Sequence, residues 1–263
     1  MRAGFIRFAS LAAVLCGLAG MAVPVAAQET VQVSGRVLQP GSYDWQEGAR
    51  LRDAAVAGQV RADAYFLGAA LLRESALEPQ QRLRTGVLFD LSQGLVHAQS
   101  RNDQPLQELL QRLQGQVEAM PVTGRVVAEM NPLAQQLLRN NPPLRAGDRL
   151  IYPARPDSVR VMGAVQSDCT LTFDPSTTVL RYLRQCPRHA AADPAYLYLI
   201  QPNGVVQRVG VAHHNAEPAN VAVGAVLLVP VNPSRLGSVA DELNEELAAF
   251  LATQYRLGGR FDD

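Results

Sequence analysis

Few residues in this sequence have the type and spacing for chemistry, and they differ in kind. His213 and His214 stand side by side with Glu217 three positions on, residue types that bind metal. Adjacent residues on a strand face opposite ways, so both imidazoles could reach one ion only from an irregular loop. The segment therefore reads as a surface loop and no metal site is assigned. There is no His-Glu-x-x-His helix, no Cys-x-x-Cys pair and no Gly-x-Ser-x-Gly elbow. Carboxylate pairs such as Asp241-Glu242 fall on the charged face of a helical pattern, where nothing gives them a glycosidase geometry. All 24 basic residues are arginine, so no lysine is present for Schiff-base or phosphate-loop chemistry. No catalytic residue and no cofactor is expected.

Arg125 is the ligand-binding candidate. It follows Val122-Thr123-Gly124 at the start of a loop, where a guanidinium can hold a carboxylate or phosphate through two parallel hydrogen bonds. That would suit an acidic sugar or a lipid-linked intermediate. The structural alternative is an arginine paired with Glu129 or with a backbone carbonyl, holding the adjoining segment in place. Cys169 and Cys186 are the disulfide candidate, with two buried free thiols as the alternative. A bridge there would close a short loop and add roughly 3 kcal/mol on the chain-entropy account. Tyr43 and Trp45 could stack on a sugar ring. As alternating residues after a turn, they could equally pack the hairpin they belong to.

The elements that must position these groups begin at Val31–Gly48. Val31, Val33, Gly35 and Val37 alternate with polar residues, the period of a half-buried strand. Pro40-Gly41 makes a turn, and Ser42–Trp45 resumes the extended pattern, giving a hairpin. Val159, Val161, Gly163 and Val165 repeat the first four positions at a constant offset of 128 residues. A closing phrase also recurs: Leu144, Gly147 and Leu150 before Pro153 match Val221, Gly224 and Leu227 before Pro230, at an offset of 77. Two similar modules follow, and the first holds about 51 residues that the second lacks. The insertion is a helical hairpin, Glu78–His97 and Asp103–Met120. Leu83, Val87, Leu91 and Leu95 recur in its first arm, and Asp103 caps the second with Pro105 in its first turn.

Short helices are expected over Gly48–Gly58 and Thr177–Gln185, and strands over Ala64–Leu72, Tyr196–Ile200 and Val205–Val211. A last helix is expected over Val239–Leu257, about 28 Å long at 1.5 Å per residue, with Ser238 and Asp241 resembling a capping box. Leu236, Val239, Leu243, Leu247, Phe250 and Leu251 form one apolar stripe opposite an acidic face. That face could pack back on the modules or dock on a partner helix. Membrane insertion is the hardest to support, because the acidic side would be repelled by anionic surfaces.

Residues 1–27 read as a cleavable signal peptide. Arg2 and Arg7 precede the uncharged apolar stretch Leu11–Met21, and Val25-Ala26-Ala27 offers small residues for cleavage. With 48% hydrophobic residues, 18% charged residues and no net charge, the chain can bury a sizeable core. It carries no global field for nucleic acid. The parse is thus a signal peptide (1–27), a first domain (28–156) with its insertion near 78–120, a second domain (157–232), and a C-terminal helix and tail (233–263). In class it is α+β, with strands and a crossing helix in each module ordered as in a small β-grasp domain.

The phrase Val-x-Val-x-Gly-x-Val-x-x-Pro-Gly-x-Tyr, followed by a Gly-x-x-Leu helix start, resembles the soluble ligand-binding β-grasp (SLBB) repeat of polysaccharide export proteins. Further features are similar to the GfcC family of capsule biosynthesis proteins. These are the paired modules, the helical hairpin inside the first, Val122-Thr123-Gly124-Arg125, Asn141-Pro142-Pro143-Leu144 with Gly147-Asp148, and the amphipathic C-terminal helix. The resemblance covers about Val31 to Leu257, and the cysteine pair belongs to this sequence rather than to the family pattern. It implies a periplasmic, non-enzymatic protein that assists assembly or export of capsular or extracellular polysaccharide. Its partners would be the glycan or the export proteins, with peripheral outer-membrane association through kinship to Wza-type channels. It also implies that Arg125 lies in a pocket of the first module. Two other expectations stay open beside it: a polysaccharide-modifying enzyme using the first-domain cleft, and a structural subunit of an oligomeric export complex.

Overall fold

A computed structural model describes residues 29–237 and 242–257. Residues 1–28, 238–241 and 258–263 lie outside the described residues, and with them the expected signal peptide, the expected capping pair Ser238 and Asp241, and Val239 of the apolar stripe. The architecture is α+β, with two mixed five-stranded sheets. The first comprises β1 (Thr30–Gly35), β2 (Gly41–Asp44), β3 (Ala70–Leu72), β4 (Arg125–Val126) and β5 (Arg149–Tyr152). The second comprises β6 (Ser158–Gly163), β7 (Cys169–Thr172), β8 (Tyr196–Ile200), β9 (Val206–Gly210) and β10 (Val226–Val229).

Edge to edge the orders are β2-β1-β5-β3-β4 and β7-β6-β10-β8-β9. In each sheet one central pair, β1 with β5 and β6 with β10, is parallel, and every other pair is antiparallel. The repeat seen in the sequence is thus a repeat of topology. A parallel central strand flanked on both sides must be apolar along its length, and Val226–Val229 is buried at all four positions.

The glycine shared by both hairpin phrases has a steric cause. Gly35 and Gly163 end β1 and β6 at φ 89° and 96°. A Cβ on them would sit 2.1 Å from the Tyr152 carbonyl oxygen and 2.3 Å from that of Val229. Those same carbonyls accept from the next amide, Arg36 N at 2.6 Å and Ala164 N at 2.8 Å. The chain can turn off the strand while keeping its bond to the parallel neighbour only where no side chain intervenes.

Between β2 and β3 runs α1 (Leu51–Ala57), and between β7 and β8 runs α4 (Val179–Gln185), capped by the Thr178 hydroxyl. Ala64–Leu72, expected as one strand, is extended only over Ala70–Leu72. Phe66–Gly68 forms a 3-10 turn, and Tyr65 instead crosses to the second module, its hydroxyl donating to the Val223 carbonyl at 2.8 Å. Cys169 and Cys186 form a disulfide that ties β7 to the end of α4.

The helical hairpin replaces the turn between β3 and β4 and consists of α2 (Leu77–Ser100) and α3 (Gln104–Ala119). Asp103 accepts from Leu106 N at 3.3 Å, as its position before Pro105 suggests. In α2 the buried face is Gln80, Val87, Leu91, Gly94 and Ala98. A step of four drifts off a helix of 3.6 residues per turn, so Leu95 ends half-buried and Gly94 takes the inner position.

Beyond its root, the hairpin turns its apolar face to the second module. Val87, Leu91, Leu106, Leu110 and Val117 join one core with the second sheet, α4 and the C-terminal helices. The first sheet and α1 have a separate, smaller core around Val33, Leu51, Leu150 and Tyr152. The Arg112 guanidinium locks α3 to the β6–β7 turn, donating to the carbonyls of Gly163 (3.0 Å), Val165 (2.5 Å) and Gln166 (2.6 Å). At the hairpin's root, Arg73 grips the buried Asp148 carboxylate with two parallel bonds of 2.9 and 2.7 Å.

After β10 come α5 (Pro233–Leu236) and α6 (Leu243–Ala252). The C-terminal helix is therefore shorter at its end than the expected reach to Leu257. The Thr253 hydroxyl turns back to the Phe250 carbonyl at 2.7 Å, and Tyr255–Leu257 leave the helix. Leu236, Leu243, Leu247, Phe250 and Leu251 are all buried in the shared core.

Candidate functional site

Arg125 opens β4 at the foot of the hairpin. Gln80 of α2 fixes its backbone, donating to the Arg125 carbonyl at 2.7 Å and accepting from Gly124 N at 2.8 Å. The residue is 8% exposed, and among the described residues its side chain hydrogen-bonds to carbonyls. It donates to Pro202 in the β8–β9 turn, to Ala252 at the end of α6 (3.3 Å) and to Ala69 before β3 (3.4 Å). Glu129, its other candidate partner, instead accepts from Asn131 N at 2.9 Å. Burial pushes the guanidinium down to about 10, with Tyr255 acting the other way. It stays charged at neutral pH and joins the two modules and the last helix at one point.

A cleft of about 580 Å³ opens beside this junction. One wall is the end of α3 and the irregular segment that follows, with Gln116, Met120, Pro121 and Thr123. Arg149 stands at the start of β5, Arg160 lies on β6, and Gln254, Tyr255 and Arg256 come from the segment after α6. The Thr123 hydroxyl donates to Thr253 O at 2.8 Å and Gln254 Nε2 to Pro121 O at 3.0 Å, stitching the last segment to the α3 wall. Tyr255 packs on Ala70, Leu72 and Ile151, and the Arg256 guanidinium lies 5.6 Å from its ring centre.

Among the described residues, three arginines and no carboxylate line the cleft. Asp168 stands behind Arg160, accepting from its Nη2 at 2.8 Å and from Gln116 Nε2 at 3.2 Å, which orients both side chains. Arg149 is exposed. Arginines spread around an apolar floor, beside an aromatic ring and two amides, can bind a carboxylate or phosphate by paired hydrogen bonds while the ring covers a sugar face.

Arg125 lies next to this cleft but outside its lining, so the sequence candidate and the arginine-lined space are neighbours rather than one site. No sequence pattern singles out Arg149, Arg160 and Arg256, because they lie in three separate segments and share no motif. His213 and His214 are exposed in the loop after β9, where the Glu217 carboxylate accepts from Gly210 N at 3.2 Å. Among the described residues no group of three or more His, Cys, Asp or Glu could hold a metal. Among them, too, no helix is long and apolar enough to cross a membrane.

Two comparisons bear on this arrangement. Over 192 residues the chain is 26% identical to the uncharacterized protein YjbG of Escherichia coli strain K12, spanning 72% of this chain and 77% of that protein. Residues 167–255 match the family model for the capsule biosynthesis GfcC C-terminal domain. That span holds β7 to α6, both cysteines and Tyr255 of the cleft wall. The chain is thus a distant homologue of YjbG and carries, over residues 167–255, the capsule biosynthesis GfcC C-terminal domain.

Proposed function

We propose that this protein is a non-enzymatic, periplasmic carrier or adaptor for capsular or extracellular polysaccharide, and that it binds an acidic segment of the glycan in the cleft between its sheets. The observation that carries this is the lining of the cleft: Arg149, Arg160 and Arg256 around Tyr255, with no carboxylate among the described residues that line it. The capsule biosynthesis domain match supplies the biological setting. The disulfide suits an oxidising compartment, as export would provide. Each sheet with its crossing helix is, in this reading, one β-grasp module of a tandem pair. The cleft draws Arg149 from the first sheet and Arg160 from the second.

The test is calorimetric titration of the mature chain with trigalacturonate, a short acidic saccharide. Saturable binding is expected, weakening with salt and falling at least tenfold in Arg149→Ala, an exposed substitution that leaves the core intact. Equal affinity in that variant, or no binding by the parent, overturns the reading. Mass spectrometry of the recovered saccharide is expected to show it unchanged. Contact with export machinery is a second reading. It is favoured by Val127, Leu133, Leu137 and Leu138, large apolar side chains left 48–73% exposed between β4 and β5.

A further inference from the structure

The first module has a second recess, opposite to the cleft in charge. It measures about 500 Å³ and lies between the end of β2, α1 and the loop before β5. Tyr43 and Trp45 line it, together with Asp44, Glu47 and Asp53, and among the described residues no arginine does; the Asp53 carboxylate also accepts from Arg50 N at 2.8 Å. Both rings are held by their polar ends. Trp45 Nε1 donates to the Leu144 carbonyl at 3.2 Å, and the Tyr43 hydroxyl to the Gln39 carbonyl, with that of Ala57 at 3.2 Å. Their hydrogen-bonding groups are spent on the frame, so the rings can offer only their faces, at fixed positions. Preset aromatic faces lose little entropy on binding.

The second module provides an internal control. The matching space between β7, α4 and the loop before β10 is a recess of about 460 Å³. The recess is therefore a by-product of the repeated topology. Its decoration is not. At the 128-residue offset Phe173 stands for Trp45, Leu171 for Tyr43, Thr172 for Asp44 and Pro175 for Glu47. Only the first copy combines two anchored aromatic rings with three carboxylates.

We infer that this groove of the first module binds a pyranose without negative charge, an amino sugar above all, stacked on Trp45 with its hydroxyl and ammonium groups donating to Asp44 and Glu47. The apolar face of a sugar ring matches an aromatic face. Carboxylates accept from hydroxyls and attract an ammonium, while they repel uronates and phosphates. The inference goes beyond the acidic-glycan reading of the cleft and rests on different residues. Together the two sites would grip unlike units of one heteropolymer.

Trp45 is the one tryptophan of the sequence, so the emission of the mature chain reports on this groove directly. Titration with a glucosamine trisaccharide is expected to shift that emission saturably. Cellotriose should bind more weakly, and trigalacturonate should leave the emission unmoved. Asp44→Asn with Glu47→Gln, both exposed positions, should weaken the glucosamine trimer at least tenfold. Trp45→Phe, followed by calorimetry, should bind with a loss of a few-fold, and Trp45→Ala with a larger one. Arg149→Ala should leave this binding unchanged, which separates the groove from the cleft. The inference is overturned if neither uncharged nor amino-sugar trimers move Trp45, if the double carboxylate variant binds as the parent does, or if trigalacturonate gives the same shift.

Discussion

The position of Arg125 shows how far a residue type can be taken. Its place after Thr123-Gly124 marked it as important, and the alternatives open to it were a bound anion, Glu129 or a backbone carbonyl. The fold engages both of its terminal nitrogens with the carbonyls of Ala69, Pro202 and Ala252. Those carbonyls belong to three segments far apart in sequence, so no local pattern could have announced them. A buried carbonyl left without its donor costs about 1–3 kcal/mol. Arg125→Ala is therefore expected to destabilise the protein by about 3 kcal/mol, read as a lower midpoint in urea unfolding. Arg125→Lys should recover only part of the loss, because a single ammonium cannot span the fork of a guanidinium. An unchanged midpoint in Arg125→Ala would return the residue to the role of a ligand contact. By contrast Cys169 and Cys186 were readable as a pair, since beyond the expected signal peptide the sequence holds two cysteines and so allows one pairing.

Helices and strands were largely apparent from periodicity. What periodicity conveys is that a face is buried, without saying against what. The stripes of α2, α3 and α6 are one example: they meet each other and the second sheet, although the sequence places α2 and α3 inside the first module. Gly94, an unpromising residue for a helix, sits where a Cβ would come 3.2 Å from Leu110 and 3.4 Å from Leu236. Its lack of a side chain lets α2 approach α3 and α5. The other side of the α2–α6 contact carries a cost. Burial, and then the charge of Glu242, raise the Asp90 carboxyl above its ordinary range. Burial, and then Asp90 and Glu242, do the same to Glu246. A carboxyl whose folded pKa is raised binds its proton more readily in the folded state, so its contribution to stability falls as pH rises through that range. Asp90→Asn should therefore stabilise the protein at pH 7.5 by about 0.5 kcal/mol, the order of a like-charge helix pair. The gain should vanish below about pH 4, where carboxyls are protonated in both states. Paired thermal melts at the two pH values check it. A gain that is the same at both would assign the effect to something other than charge.

Two copies of one topology need not make two independent units, and the hairpin decides the matter here. Repeat offsets located it and its extent, because an insertion shows as a mismatch between the 128- and 77-residue spacings. Its destination depends on closure of the whole chain: Arg112 onto the β6–β7 turn, Arg235 onto Asp103, Tyr65 onto Val223. The arginine-lined cleft has the same origin, since its residues converge only once β5, β6 and the chain after α6 are brought together. The second module thus borrows much of its core from a segment written into the first. Val87, Leu91, Leu106, Leu110, Leu113 and Val117 are each at most 2% exposed, and burying such a side chain contributes about 1.5–3 kcal/mol. Their sum rivals the whole stability of a domain, about 5–15 kcal/mol. Replacing residues 77–119 by a short glycine-serine turn should therefore unfold the second module while leaving the smaller core around Leu51 and Leu150 able to form. Backbone amide spectra of the shortened chain would show this as collapsed dispersion for residues of β6 to β10 and retained dispersion for β1 to β5. Retained dispersion in both would mean that the second sheet and α6 suffice for that core, and that the hairpin serves the cleft alone.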